Sequence, residues 1–113
     1  MIKLLQWLTR IAGLGAIVLG LMLPRNPSLR LHMILGVIVV LALAILAFWA
    51  LAARVRIPVA IAALIWAAAT IYVGMMKNRG TPGEIGHVLL GIGAIGLAEI
   101  LAGAISRKRA SLA

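Results

Sequence analysis

Residues 31–53 read LHMILGVIVVLALAILAFWALAA, a run with one histidine and no charged side chain. Coiled as an α-helix at about 1.5 Å per residue, such a run crosses the roughly 30 Å hydrocarbon core of a bilayer. It is apolar all round, so it has no face to offer water. Three further runs flank it, at about Leu4–Leu23, Pro58–Met76 and Ile85–Ile105. Between them stand PRNPSLR (Pro24–Arg30), Arg54-Val55-Arg56 and KNRGTPGE (Lys77–Glu84). Pro58 sits in the first turn of its run, where proline is tolerated. Backbone groups in lipid must find partners within their own segment, which makes each run a helix. Connections this short force neighbours to be antiparallel. The expected fold class is therefore all-α: an integral membrane, up-down-up-down four-helix bundle. It forms a single transmembrane domain over residues 1–113, with helices at about 4–23, 31–53, 58–76 and 85–105.

Composition agrees. The chain is 65% hydrophobic, against roughly 45–50% for a soluble domain. The excess is expected to face lipid. The net charge of +9 arises because only Glu84 and Glu99 are acidic. Lys and Arg gather at the ends of the apolar runs rather than in a stripe interleaved with aromatics, which argues against nucleic acid as a partner. No cysteine is present, which removes disulfides, iron–sulfur clusters, thiolate zinc and covalent haem attachment. Arg10 interrupts the first run and no small-residue cleavage site follows, so this run is expected to be a retained helix rather than a signal peptide. Lys3, Arg54, Arg56, Arg107, Lys108 and Arg109 fall on one face of the bundle. Arg25, Arg30, Lys77 and Arg79 fall on the other, offset by Glu84. The positive-inside rule then places both termini in the cytoplasm, the inner membrane of a bacterium being the expected setting. Trp7 and Trp49 would lie at that cytoplasmic interface.

The chain also looks duplicated. His32 opens HMILG and His87 opens HVLLG, an offset of 87 − 32 = 55. Pro27 and Pro82 each stand five residues earlier, and Ile45-Leu46-Ala47 matches Ile100-Leu101-Ala102. Thr9, Gly13, Ala16 and Gly20 share their spacing with Ala63, Ala67, Thr70 and Gly74, offset by 63 − 9 = 54. The expectation is a tandem repeat of two helical hairpins, related by an axis along the membrane normal.

The two histidines of the chain then fall about one turn inside the second and fourth helices, at the same depth near the external face. These helices are diagonal in an up-down bundle, so the imidazoles would face each other across the core. That arrangement suits two axial ligands on one haem iron. Gly36 and Gly91 follow each histidine by four residues, on the same helix face one turn deeper. There a porphyrin must lie close to the backbone. Gly20 and Gly74 fall near the same level and would leave room for porphyrin edges. Arg25, Arg30, Lys77 and Arg79 would supply cations for the propionates.

In the HMILG and HVLLG segments and in its layout the chain resembles the membrane b-type cytochromes. Those proteins use four-helix bundles, histidines from two facing helices, and glycines that admit the haem. The resemblance implies a non-covalent haem b, with His32 and His87 as axial iron ligands and Gly36 and Gly91 as haem-packing residues. It implies electron transfer, as a carrier or as a subunit of an oxidoreductase more than as a stand-alone enzyme. The chain has one histidine pair where many members have two. One haem near one face does not carry an electron across the bilayer, so a quinol, a redox-partner protein or a larger membrane complex is expected to complete the path. A chlorophyll held by a single histidine and a zinc site drawing on Glu84 are lesser variants.

Arg10 and Glu99 both lie inside helices, about two turns from the cytoplasmic ends, and are expected to pair; a proton or quinone site is the alternative. Met22, Met75 and Met76 lie near the histidine level, where methionine usually serves as filler, and Trp66 is expected to be packing. No nucleophile–base triad, paired-carboxylate site or phosphate loop is present. Two other functions compete. In length and helix number the chain is similar to the small multidrug resistance transporters, although it carries Arg10 where that family has a first-helix glutamate. A cofactor-free accessory subunit is the third reading.

Overall fold

A computed structural model of the chain describes residues 1–22, 29–75 and 80–112. Four helices follow one another: α1 (Ile2–Met22), α2 (Leu29–Ala52), α3 (Ile57–Met75) and α4 (Gly80–Leu112). Each contains a segment long and apolar enough to cross a membrane, and they pack as one bundle about 50 Å long. This is the expected all-α membrane bundle.

Side-chain size is sorted from inside to outside. The interior is lined with alanine, including Ala12, Ala42, Ala47, Ala60, Ala63, Ala94 and Ala98. Leu14, Val37, Leu41, Ile45, Phe48, Ile65 and Ile92 point outward and are exposed. A water-soluble bundle would bury the large apolar residues. In lipid no hydrophobic force draws helices together, so association depends on close backbone approach, which small residues permit. The two small-residue stripes accordingly face inward: Thr9, Gly13 and Ala16 are buried on α1, and Ala63, Ala67 and Thr70 on α3. Thr9 Oγ1 donates to the Leu5 carbonyl at 2.7 Å and Thr70 Oγ1 to that of Trp66 at 2.8 Å, so neither buried hydroxyl is left unsatisfied.

The cross-section is a flattened diamond rather than a square. α2 and α4 pack directly on each other as well as on both other helices, while α1 and α3 do not meet among the described residues. The diagonal pair is thus closed, because α4 presents Ala94, Ala98 and Ala102 to the interior and allows α2 to come close.

Helix boundaries differ from the sequence expectation chiefly at α4, which begins at Gly80 rather than near Ile85 and runs to Leu112 rather than Ile105. Pro82 lies in the first turn, where its missing N–H costs nothing. Beyond the apolar segment, Arg107, Lys108, Arg109 and Ala110 are good helix formers and carry the helix onward. As a result His87 lies about two turns inside α4, not one.

The α2–α3 turn is built without glycine. Arg54 N–H donates to the Leu51 carbonyl at 3.1 Å and Val55 N–H to that of Ala50 at 2.8 Å, which is the Schellman pattern of helix termination. Arg54 occupies the left-handed position at φ 56°, and Arg56, just before α3, sits at φ 48°. Two arginines therefore hold conformations that glycine usually takes.

Candidate histidine site

α2 and α4 bring the histidines together. The ring centroids of His32 and His87 lie 6.0 Å apart, with the ring planes at 70°. The two rings meet as expected, although α4 begins farther before its histidine than α2 does.

Each ring is seated by its own hairpin. His32 Nδ1 lies 2.6 Å from the Ala16 carbonyl oxygen of α1. A carbonyl only accepts, so Nδ1 is the donor and Nε2 is the nitrogen left to act as a ligand. This is the arrangement by which a backbone acceptor orients a metal-binding imidazole. A Cβ at Gly20 would stand 2.9 Å from His32 Cε1, and one at Gly74 would stand 2.8 Å from His87 Cε1. Gly20 and Gly74 therefore make room for the imidazoles themselves. The offsets, 74 − 20 = 54 and 87 − 32 = 55, are those of the sequence repeat, so the duplication has a geometric counterpart. Ala16 belongs to the same construction; the sequence marks it only as one of the small-residue stripe, because a backbone carbonyl's role as acceptor leaves no mark in residue type.

One turn deeper, a Cβ at Gly36 would meet nothing within 4 Å, and one at Gly91 would meet only Ile17, at 3.8 Å. Gly36 therefore borders open space, while Gly91 is in ordinary van der Waals reach of Ile17. Arg30 stands exposed on α2, two residues before His32. Arg25, Lys77, Arg79 and Met76 lie outside the described residues, as do the side chains of Met22 and Glu84; Met75 is exposed.

The repeat is not exact in its packing. Trp66 Nε1 donates to the Leu90 carbonyl at 2.7 Å, and the indole occupies the space that a Cβ at Gly93 would need. The equivalent positions of the first hairpin hold Ala12 and Ile38. Large and small have changed helices, which keeps the filled volume similar. Trp66 is packing, as expected, with its N–H satisfied.

Arg10 and Glu99 pair across α1 and α4. Arg10 Nε donates to Glu99 Oε1, and Arg10 Nη2 to Glu99 Oε2 at 2.9 Å. Gln6 Nε2 donates to Glu99 Oε2 at 2.6 Å, and the Arg10 guanidinium lies 5.0 Å from the Trp7 ring centre. Gln6 was not anticipated, although its place four residues before Arg10 puts both on one helix face. Ten residues separate Arg10 from Gly20, about 15 Å of helix, so this cluster is no part of the histidine site. Among the described residues, no group of three or more His, Cys, Asp or Glu side chains forms. Comparison with known proteins finds no matching family, no curated relative and no matching solved structure.

Proposed function

We propose that the chain is a membrane-embedded haem b protein that transfers electrons, with His32 and His87 as the axial ligands. The supporting observation is the convergence of these two rings from α2 and α4, at a 6.0 Å centroid separation. Rings this close would let His32 and His87 hold one metal-centred group between them. Two protein donors do not complete a tetrahedral zinc site, but they fill the two positions that a porphyrin leaves open. The open space beside Gly36 favours a flat group against the α2 backbone.

The chain's own residues have definite tasks in this reading. The Ala16 carbonyl holds the proton of His32 on Nδ1 and so presents Nε2. Gly20 and Gly74 seat the rings, and Gly36 and Gly91 leave the backbone bare. Arg30, with Arg25 and Arg79, supplies positive charge for carboxylates at the interface. When bound between two neutral imidazoles, haem supplies a low-spin, one-electron couple. The haem lies nearer the external face of a bacterial inner membrane, both termini are cytoplasmic, and a quinol or a redox-partner protein exchanges the electron.

Oxidised and dithionite-reduced absorption spectra of the protein, purified in detergent from haem-replete cells, test the proposal. Sharp low-spin b-type bands are expected, lost or converted to high spin in His32→Ala and in His87→Ala. A colourless protein that stays colourless after haem is added overturns it and leaves the transporter and accessory-subunit readings.

A further inference from the structure

At the end of the bundle opposite the histidines, a cleft of about 330 Å³ is lined by the C-terminal parts of α2 and α4. Its walls carry Arg54, Lys108 and Arg109, its side is the Trp49 indole, and its floor includes the buried Ile105. The Arg109 guanidinium lies 5.7 Å from the Trp49 ring centre, and the Lys108 ammonium donates to the Ala53 carbonyl at the end of α2.

We propose that this cleft binds the phosphodiester headgroup of an anionic phospholipid. Three cations line it, and neither acidic side chain of the chain stands beside them. Of its two acidic residues, Glu99 is held by Arg10 and Gln6. It lies nine residues before Lys108, about 13 Å along α4. Glu84 belongs to the other end of that helix. The cleft also pairs charge with an apolar floor and a tryptophan where the apolar spans end, which is the level of lipid headgroups. A free anion would use the cations alone, whereas a lipid uses the cations, the indole and the apolar floor together. Basic pockets between helices at this level are suited to phosphate headgroups.

The test uses the full chain in zwitterionic-detergent micelles, with bound lipid counted by native mass spectrometry. The chain is titrated with phosphatidylglycerol, phosphatidylcholine or inorganic phosphate. Phosphatidylglycerol is expected to be retained in preference to phosphatidylcholine, and inorganic phosphate at the same concentration should not displace it. Each interfacial cation contributes about a fivefold change in affinity, so Lys108→Gln/Arg109→Gln should weaken retention by roughly 25-fold. Lys108→Arg/Arg109→Lys, which keeps the charge and so guards against a folding artefact, should bind as the parent does. Equal retention of the two lipids overturns the proposal. So does displacement by inorganic phosphate, or a loss in the charge-preserving variant as large as in the neutral one.

Discussion

A methyl group at Gly20 or Gly74 would press on an imidazole Cε1 at under 3 Å, so the ring must shift to admit it. Gly20→Ala and Gly74→Ala are therefore expected to tilt the ring they touch. The cost is about 1–3 kcal/mol, the usual range for overpacking. The proposed haem spectrum should shift toward high spin while far-UV circular dichroism stays helical. Unchanged spectra in both variants would mean that these glycines do not position the histidines. The pairing of HMILG with HVLLG is legible in the sequence because the repeat offset marks it. That Gly20 and Gly74 belong to the imidazoles is not, since a glycine records that space is needed and not what fills it.

Elements carry two further predictions. The α2–α3 turn places Arg54 at a left-handed position with φ 56°, where a Cβ is unfavourable. Arg54→Gly should raise stability against denaturation in detergent by about 1 kcal/mol; a drop would show that the arginine side chain stabilises the turn by more than its backbone costs. The Arg10–Glu99 pair joins α1 to α4, the contact between the two hairpins. At the equivalent positions of α3 and α2 the chain has Leu64 and Ala44. Arg10→Leu and Glu99→Ala, made singly, should each lower the thermal midpoint by stranding a charge within the apolar span. The double variant rebuilds the other hairpin contact and should recover most of the loss. If the double variant is as unstable as the sum of the singles, the pair is not coupled. A near-symmetric bundle has two similar hairpin contacts, and an ion pair at one of them distinguishes correct from exchanged docking.

For the whole molecule, four antiparallel helices bring both termini to the end that carries Arg54 and Arg56. The absence of cysteine makes this testable with single introduced thiols. Ser111→Cys, at the end of α4, and Arg30→Cys, at the start of α2, should react with a membrane-impermeant maleimide from opposite sides of the membrane. In intact cells only Arg30→Cys should label. Labelling of both from one side would contradict the up-down arrangement, and labelling of Ser111→Cys alone would invert the orientation.

The sequence by itself determined that this chain is four membrane helices in two similar hairpins. The reason is that hydrocarbon thickness and the need to satisfy every backbone group in lipid leave an apolar run of this length no other form. It also marked the histidine pair and the Arg10–Glu99 match in depth, because position along a helix translates directly into position across the bilayer. Only the tertiary structure decided that α2 and α4 close the diagonal, that each imidazole rests on a glycine of its own hairpin, that Gln6 completes the Glu99 cluster, and that a cationic cleft opens at the far end. Those features depend on helix rotation and side-chain volume summed over several helices, and alanine, present on nearly every face, gives a linear pattern little power to distinguish one rotation from another.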